Sequence, residues 1–398
     1  MSGGRSAGRH TTCGVLVAGG GAVGMMTALA LTERGVPATV LEAGEGLVEQ
    51  YRASTFHPST LDLLDRYGLA GPLIDAGNVA RTVQYRDWEE GLIAEFDLSV
   101  LAGATDHPFR VQKDQHTLSG MLLERLSRRP DAEVHFGRRV LSASDEGDLA
   151  TAVVDTQDGL LHISAPYLVG ADGANSAVRR SAGIGFEGKT YPDRYVTVFT
   201  PFSFEGRLPG FGPVNYVSDP VDWTVLLRAP EHWRVLYPAR PGDTDEQALA
   251  PQAIARRLSS IAGSRENFDV EHARIYRVHQ RVASTLRSGR ILLAGDAAHV
   301  NNPLGGMGLN GGLADAEALA AAVAEVWHGR SGESVLDRYS ATRRRIALEH
   351  VGGRTDENAR EISLSDPEAR SAWRERMRAI ARDPDRARRF LMEASLLS

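Results

Sequence analysis

The pattern of apolar and polar positions near the start of the chain predicts one compact unit of alternating structure. In GVLVAGGGAVGMMTALALTERGVPATVLEA, a short apolar run is followed by apolar residues at helical spacing and then by a second apolar run. We therefore predict strands over residues 14–18 and 37–42, with a helix over residues 21–34 between them. Later apolar runs, at residues 165–169 and in GRILLAGDAA (residues 289–298), are interpreted as further strands of the same domain.

Residues 195–240 follow a different pattern. The segments YVTVFTPFSF, VNYVSD, DWTVLLRAP and HWRVLYPA predict successive strands, with turns at Asp219-Pro220 and Ala229-Pro230. A mostly antiparallel sheet inserted between α/β segments would form a second domain, and residues 81–101 are predicted to join it. After Trp327 the chain is predicted to be largely helical and highly charged.

A glycine motif lies between the first predicted strand and its helix. Gly19, Gly21 and Gly24 have the G-x-G-x-x-G arrangement. The first glycine allows a tight turn, the second lets a pyrophosphate approach the helix N-terminus, and the third lets helix and strand pack closely. Glu42 ends the second strand, where a carboxylate accepts hydrogen bonds from ribose hydroxyls. Together these features predict a dinucleotide site, and an acid at this position favours FAD or NAD over NADP.

Composition and charge change this picture mainly by exclusion. The 398 residues are 42% apolar and 24% charged, which is ordinary for a soluble protein of two or three domains. A net charge of −6 gives no reason to expect nucleic acid or an anionic membrane as partner. No uncharged apolar run reaches the ~18 residues of a membrane span. The single cysteine, Cys13, excludes an internal disulfide, so we predict a cytoplasmic protein. No metal site is predicted.

Two further glycine-containing turns extend the first motif. GADGANSAVR follows the strand at residues 165–169, and GDAAHVNNPLGGMGLN follows the strand in GRILLAGDAA. With GGGAVG, these motifs and their order resemble the single-component (class A) FAD-dependent aromatic hydroxylases, the para-hydroxybenzoate hydroxylase-like flavoprotein monooxygenases. The resemblance covers roughly residues 14–345. It implies an α/β fold, with a Rossmann-like FAD-binding domain, an inserted, mostly antiparallel substrate-binding sheet and a helical C-terminal segment.

The domain boundaries follow from these patterns. We predict a discontinuous FAD-binding domain that comprises residues 13–80, 102–185 and 276–345. The substrate-binding sheet domain comprises residues 81–101 and 186–275. The C-terminal helical segment comprises residues 346–398. The last segment has apolar residues at helical spacing, so it either packs on the core or forms the contact of a homodimer.

The resemblance implies a set of FAD-binding residues, which are Gly19, Gly21, Gly24, Glu42, Arg52, Gln115, Asp172, Gly173, Gly295, Asp296, Pro303, Gly305, Gly308, Leu309 and Asn310. Within this set, Asp172 would serve both pyrophosphate binding and NAD(P)H handling. Asp296 would bind the ribityl or pyrophosphate part, and Pro303 would lie beside the isoalloxazine ring. The glycines would let the backbone lie against the ring, and a helix starting near Gly311 would direct its positive end at the pyrimidine edge.

The resemblance also implies the reaction. NAD(P)H reduces FAD, O2 forms a flavin C4a-hydroperoxide, and one oxygen atom is transferred to an aromatic, phenolic or heteroaromatic small molecule. The cofactor carries this chemistry, and the protein binds, orients and excludes water. A conventional catalytic triad is therefore not expected.

Candidates for direct catalytic and substrate contacts are few. The catalytic candidates are His57, Tyr216 and Pro303, and the substrate candidates are Arg228 and Tyr237. The histidine either faces the ring as a base or has a structural role. The residues of the inserted sheet either line the pocket or are core and cross-strand partners. Arg110 either meets a substrate carboxylate or lies on the surface, and His299 is interpreted as support for its loop.

Other flavoprotein functions make different demands. A flavin-dependent halogenase needs a lysine beside a channel and a W-x-W-x-I-P stretch, whereas the lysines here are Lys113 and Lys189 and DWTVLL is not that motif. An FAD-dependent reductase or dehydrogenase would act without oxygen. A non-catalytic flavoprotein would show no flavin reduction by nicotinamide with candidate aromatics.

Overall fold

The structure is a computed structural model. It describes residues 8–11, 14–47, 54–205, 210–264, 266 and 268–397. Two residues named above, Cys13 and Arg52, lie outside these ranges.

The strands of the described residues are, in chain order, β1 (Gly8–Thr11), β2 (Val15–Ala18), β3 (Ala38–Leu41), β4 (Thr55–Phe56), β5 (Asn78–Ala80), β6 (Thr82–Asp87), β7 (Gly91–Asp97), β8 (Arg110–Gln112), β9 (Ala132–His135), β10 (Arg139–Asp145), β11 (Ala150–Thr156), β12 (Gly159–Ala165), β13 (Tyr167–Gly170), β14 (Phe186–Thr200), β15 (Val214–Ser218), β16 (Thr224–Arg228), β17 (Trp233–Pro238), β18 (His272–Ala283), β19 (Arg287–Ser288), β20 (Ile291–Leu293) and β21 (His299–Val300).

The α-helices are α1 (Ala22–Thr32), α2 (Pro58–Asp65), α3 (Ala70–Ala76), α4 (Gln115–Ser127), α5 (Ala177–Ser181), α6 (Asp245–Ala248), α7 (Pro251–Ala262), α8 (Met307–Trp327), α9 (Ser334–Ile346), α10 (Gly353–Ile362), α11 (Pro367–Arg382) and α12 (Pro384–Ala394). Short 3-10 turns lie at Leu98–Leu101 and Gly295–Ala297, and a π-helical turn at Ala347–Gly352 leads into α10. None of the described helices is long and apolar enough to cross a membrane.

The first domain is built on a sheet with strand order β19-β20-β13-β2-β3-β9. All of its neighbours pair in parallel except β19, which pairs antiparallel with β20 at one edge. The apolar strand β2 is buried along its whole length, and α1 packs against α4 and α8. The predicted βαβ unit and the α/β class are therefore confirmed.

The inserted sheet has strand order β21-β18-β14-β17-β16-β15-β6-β7. Its neighbours pair antiparallel, except for β15 with β6, which are parallel. Strands from residues 81–101 do join it, and the mostly antiparallel arrangement is confirmed. The sheet continues past the predicted boundary at residue 276, because β18 extends from His272 to Ala283.

Alternation along the strands gives this sheet two buried faces. Val196, Val235 and Tyr237 belong to a cluster that includes residues of α7, such as Leu258. Their sequence neighbours, such as Leu236, belong to a different cluster on the opposite face. Because successive side chains point to opposite faces, a shift of one residue changes which cluster a side chain enters.

The C-terminal helices pack on the inserted sheet. Trp373 and Met377 of α11 share a buried cluster with Phe96 of β7. The buried Asp87 at the end of β6 accepts a hydrogen bond from Arg370 at 2.9 Å, which links α11 to the end of this strand. Of the two predicted uses of this segment, packing on the core is the one that the structure describes, and the homodimer stays a prediction.

Candidate flavin and substrate site

Two adjoining cavities lie where the parallel sheet meets the inserted sheet. One has a volume of about 650 Å³ and the other a volume of about 470 Å³. Gly21, Gln115, Ala171, Gly173 and Asp296 line both of them. We call the larger one the nucleotide cavity and the smaller one the ring cavity. Their shared wall makes one extended cleft, which is the shape that an elongated dinucleotide requires.

The three glycines of the first motif have three different surroundings. A Cβ on Gly19 or Gly24 would lie under 3.0 Å from a backbone carbonyl, that of Ala171 or of Gly19, respectively. Gly19 also has a φ of +106°, which favours glycine. A Cβ on Gly21 would meet nothing within 4 Å. Gly21 precedes α1 without a side-chain cap, so the backbone is accessible from the nucleotide cavity at the positive end of the helix.

Glu42 is held beside this turn. Its Oε2 accepts a hydrogen bond from the Gly20 N–H at 2.6 Å, and its Oε1 accepts one from the Gly44 N–H at 2.8 Å. The residue lines the nucleotide cavity directly after β3. The carboxylate therefore lies at the cavity wall in a fixed orientation.

The Asp172-Gly173 turn follows β13 and faces both helix and cavity. Asp172 accepts hydrogen bonds from the Ser176 hydroxyl at 2.5 Å and from the Ala177 and Val178 N–H groups at 2.7 and 3.1 Å. The Asp172 carboxylate is thus bonded to the first turn of α5 while the residue lines the nucleotide cavity. Gly173 has a φ of +81°, which makes the turn.

A buried carboxylate of α8 supports the turn that carries Asp296. Asp315 accepts hydrogen bonds from the Gly295 N–H at 3.1 Å, from His299 Nε2 at 2.7 Å and from Arg343 Nε at 2.6 Å. The residues on either side of Asp296 in the sequence are buried, whereas Asp296 itself is exposed and lines both cavities. The interpretation of His299 as support for its loop agrees with this geometry.

Charge stabilises this buried cluster. Burial raises the pKa of Asp315, but the charges of His299 and Arg343 outweigh it and hold the pKa at about 2. Burial lowers the pKa of His299, but the Asp315 carboxylate outweighs it, so the net shift is upward. The cluster is therefore an ion network and not a set of neutral hydrogen bonds.

The glycine-rich loop forms the floor of the ring cavity. Every residue from Pro303 to Leu309 lines it. Gly305 and Gly306 have φ values of +113° and +67°, and helix α8 begins directly after them, at Met307. The helix therefore begins earlier than the predicted start near Gly311.

Close packing explains why the helix begins at Met307 although glycines follow that residue. A Cβ on Gly312 would lie 2.8 Å from a methyl group of Val23 in α1 and 3.2 Å from the Gly295 Cα. Glycine in this turn lets α8 approach both α1 and the Gly295 turn, and tertiary contacts stabilise the helix where helix propensity does not.

Asn310 and His57 form hydrogen bonds with the loop but do not line the ring cavity. The Asn310 side chain accepts a hydrogen bond from the His57 N–H at 2.9 Å and donates to the Thr55 and Gly306 carbonyls at 2.9 and 2.6 Å. His57 Nε2 lies 2.9 Å from the Gly305 carbonyl oxygen. Burial and, secondarily, the charge of Arg110 keep the pKa of His57 well below its ordinary value. His57 is fully buried and is not part of the cavity wall, so this geometry favours its structural alternative.

The inserted sheet closes the ring cavity from the other side. Its contributions are Tyr216, Val225, Leu227, Arg234, Leu236, Arg274, Tyr276 and Val300. Tyr216 was among the candidates from the sequence, whereas Arg234, Arg274 and Tyr276 were not. The signal for them is strand alternation, which assigns alternate residues to one face but does not say which face meets the cavity.

The other candidates of this region lie elsewhere. Tyr237 is buried against α7, on the face opposite to Leu236, and Arg228 pairs with Glu205. Arg110 is buried and donates to the Ala394 carbonyl at 3.2 Å. None of these three candidates lines the ring cavity. Tyr237 and Arg228 occupy the alternate positions of their strands, whose side chains point away from the ring cavity.

Comparisons with known proteins agree with this architecture. A family model described as FAD binding domain matches residues 12–352. Para-nitrophenol 4-monooxygenase of Pseudomonas sp. (strain WBC-3) is 34% identical over 393 residues, which cover 98% of this chain and 97% of that protein. 6-Hydroxy-3-succinoylpyridine 3-monooxygenase of Pseudomonas putida (strain DSM 28022 / S16) is 34% identical over 382 residues, covering 94% and 95%.

A solved structure extends the likeness to three dimensions. The crystal structure of p-nitrophenol 4-monooxygenase from Pseudomonas putida DLL-E4 has a TM-score of 0.92 at 34% identity and covers 98% of both chains. The ternary complex of aklavinone-11 hydroxylase with FAD and aklavinone has a TM-score of 0.79 at 27% identity, covering 90% of this chain and 72% of that one. The chain therefore belongs to the single-component FAD-dependent aromatic hydroxylases, as an FAD-dependent monooxygenase whose family uses NAD(P)H as the reductant.

Proposed function

We propose that this protein hydroxylates a one-ring phenol or hydroxypyridine that binds in the ring cavity. The volume of that cavity, about 470 Å³, carries the proposal. It lies toward the lower end of the ~300–1,000 Å³ typical of ligand pockets, and the flavin ring has to share it. The remaining space suits one aromatic ring. The two relatives named above are, by their names, monooxygenases of para-nitrophenol and of a hydroxypyridine.

The residues of the cleft fit FAD. In this proposal the open backbone at Gly21 and the positive end of α1 bind the pyrophosphate, and Glu42 binds the adenosine ribose. Asp296, which lines both cavities, binds the part of the cofactor that passes between them. The predicted contact from Arg52 falls outside the described residues.

The loop from Pro303 to Leu309 carries the ring in this proposal. The backbone at Gly305 and Gly306 is in the left-handed region, which turns the chain into α8, and the first turn of α8 brings its N–H groups to the cavity. Such a helix end carries about half an elementary positive charge, which stabilises negative charge on a reduced ring. FAD, when bound, supplies the reduction of O2 and the oxygen transfer. The protein orients the substrate and excludes water.

Replacing Asp296 with alanine is expected to weaken FAD binding about 10–100-fold, because a hydrogen bond to a charged group contributes about 1.5–3 kcal/mol. Purified wild-type protein is expected to be yellow, and the flavin content of the variant, measured by absorbance after gel filtration, is expected to fall. Asp337→Ala removes an exposed carboxylate on α9 and is the matched control. Full flavin content in Asp296→Ala would contradict the assignment.

The substrate proposal is tested by oxygen uptake. We expect 4-nitrophenol, 4-hydroxybenzoate or 4-methylphenol to accelerate NAD(P)H oxidation with matching oxygen consumption and a hydroxylated product. A polycyclic phenol such as alizarin is expected to do neither. NAD(P)H oxidation with no oxygen uptake would favour a reductase or dehydrogenase, and no flavin reduction with any aromatic would favour a non-catalytic flavoprotein.

A further inference from the structure

Three consecutive backbone carbonyl groups of the glycine-rich loop, at residues 304–306, are bonded to side chains. Their partners are, in the order of the carbonyls, Asn358 Nδ2 at 3.2 Å, His57 Nε2 at 2.9 Å and Asn310 Nδ2 at 2.6 Å. These three side chains are not part of the wall of the ring cavity, whereas every residue from Pro303 to Leu309 is. The carbonyl groups therefore point away from the cavity.

The opposite side of the same peptide groups faces the cavity. A trans peptide group directs its C=O and its N–H in opposite directions, and the described peptide bonds are trans. The Gly305 N–H, which shares a peptide group with the Leu304 carbonyl, is therefore directed toward the ring cavity, and so is the Met307 N–H. The peptide group between them is used differently, because the Gly306 N–H donates to the Pro303 carbonyl at 3.0 Å. Helix α8 has no side-chain cap, so the N–H groups of its first turn remain for a ligand.

The orientation of the peptide group between Leu304 and Gly305 is not fixed by steric contacts alone. Gly305 has a φ of +113°, and glycine permits rotations of the neighbouring peptide group that other residues exclude. Asn358 supplies the missing constraint, because its amide donates to the Leu304 carbonyl and lies so close to the loop that a Cβ on Gly305 would be 2.9 Å from Nδ2. One side chain thus bonds the peptide group and packs against the adjoining α-carbon.

Asn358 itself is held in place by contacts between α10 and the inserted sheet. The Ile362 carbonyl at the end of α10 accepts a hydrogen bond from the Asp219 N–H at 3.0 Å, directly after β15. Asp356 of α10 forms an ion pair with Lys189 of β14 at 2.8 Å. The helix therefore connects the sheet that lines one side of the ring cavity with the loop that lines the other.

We propose that Asn358 is a positioning residue for the flavin ring, because it holds the peptide group between Leu304 and Gly305 with its N–H facing the ring cavity. The inference rests on the proposed function, which places the ring on this loop. The Gly305 N–H and the N–H groups of the first turn of α8 then meet the ring together. Because these dipoles favour negative charge, they stabilise the reduced ring more than the oxidised one. Loss of the Asn358 amide is therefore expected to weaken the binding of reduced flavin more than that of oxidised flavin.

The test compares Asn358→Leu and Asn358→Ala with the wild-type FAD enzyme. Leucine keeps the branched shape of asparagine and lacks the donor, and alanine removes the donor without added bulk. The midpoint potential of bound FAD is measured against a reference dye, and the dissociation constant of oxidised FAD is measured by titration of the apoprotein. We expect oxidised FAD to bind about 2–10-fold more weakly, as for the loss of a neutral hydrogen bond, and reduced FAD to lose about 5–10-fold more, since hydrogen bonds to charged groups are stronger. A tenfold change corresponds to about 30 mV for a two-electron couple, so the midpoint potential is expected to fall by about 20–30 mV.

Asn78→Leu is the matched control. The Asn78 amide also donates to a backbone carbonyl, that of Arg228 at 3.1 Å, but Asn78 lines neither cavity. We expect this variant to bind FAD with the affinity and the midpoint potential of the wild type. Thermal unfolding of every variant shows that it is folded, and the two leucine variants are expected to unfold at similar temperatures because each loses one hydrogen bond of the same kind.

An unchanged midpoint potential in both Asn358 variants would overturn the inference, and so would an equal shift in Asn78→Leu, because the effect would then not depend on the loop. If Asn358→Leu does not fold, Asn358→Ala decides by the same criteria. An unchanged potential together with phenol-dependent oxygen uptake by the wild type would reject the positioning role and leave the proposed function intact. A lowered potential in variants of a protein whose wild type hydroxylates no phenol would reject the proposed function and retain the positioning role.

Discussion

Replacing Asp315 with alanine is expected to lower the free energy of unfolding by about 3–5 kcal/mol, because it leaves the charges of His299 and Arg343 buried without their shared partner. The Asp315 side chain is fully buried and joins the Gly295 turn, His299 and α9 through three hydrogen bonds. Loss of this support is also expected to displace Asp296 and to lower flavin content. Urea unfolding followed by circular dichroism, together with the flavin content of the purified variant, measures both effects.

Glu325→Ala is the control for this variant. Glu325 belongs to the same helix, α8, but pairs with Arg330 near the surface, and exposed pairs contribute little. We expect its unfolding curve to match that of the wild type. An Asp315→Ala protein with wild-type stability and full flavin content would show that the network is dispensable.

The same network predicts how stability depends on pH. The folded-state pKa of His299 is raised, so its contribution to stability is fully present below about pH 6.5 and is lost as pH rises through the folded-state value. The folded-state pKa of Asp315 is lowered to about 2, so its contribution is present above about pH 4 and is lost toward pH 2. Urea unfolding of the wild type and of His299→Gln at several pH values between 6 and 9 tests the first part. An equal slope in the two proteins would contradict it.

Replacing Gly24 with alanine is expected to destabilise the protein by about 3 kcal/mol and to reduce FAD binding sharply. The new methyl group would lie under 3.0 Å from the Gly19 carbonyl oxygen, and backbone on both sides would have to move. Overpacking of this kind typically costs about 1–3 kcal/mol, and a backbone contact places this site at the upper end. Thermal unfolding and flavin content are the measurements.

Gly21→Ala separates packing from cofactor access. A Cβ at Gly21 would meet no atom within 4 Å, and the φ of −73° suits alanine. We therefore expect this variant to fold with near wild-type stability but to bind FAD more weakly, because the methyl group would lie where the pyrophosphate approaches. If both variants lost the same stability, or if Gly21→Ala bound FAD normally, the separate roles of the two glycines would be wrong.

Local patterns were sufficient for the first βαβ unit. Gly19, Gly21, Gly24 and Glu42 lie within one βαβ unit, so their relation to each other depends on about thirty consecutive residues and not on distant contacts. The observed β2, α1 and β3 each begin and end within two residues of the predicted bounds. Hydrophobic periodicity and glycine placement carry this information directly.

Long-range packing decided what the patterns left open. The start of α8 at Met307 depends on how Gly312 packs against Val23 and the Gly295 turn. Tyr237 and Arg228 were chosen from strands that do exist, yet each lies on the face away from the ring cavity. Alternation limits each strand to two choices, and only the contact of one face with another element selects between them.

By itself, the sequence determined the α/β class and the three turns, because these depend on periodicity and on short motifs whose spacing is set along the chain, and the resemblance of those motifs to known proteins indicated the FAD-dependent hydroxylase family. Only the tertiary structure decided that Arg234, Arg274 and Tyr276 line the ring cavity and that His57 supports the loop from behind. The physical reason is that the face of a sheet on which a side chain lies depends on strand register and on packing between distant segments. Neither of these is encoded within one short stretch of sequence.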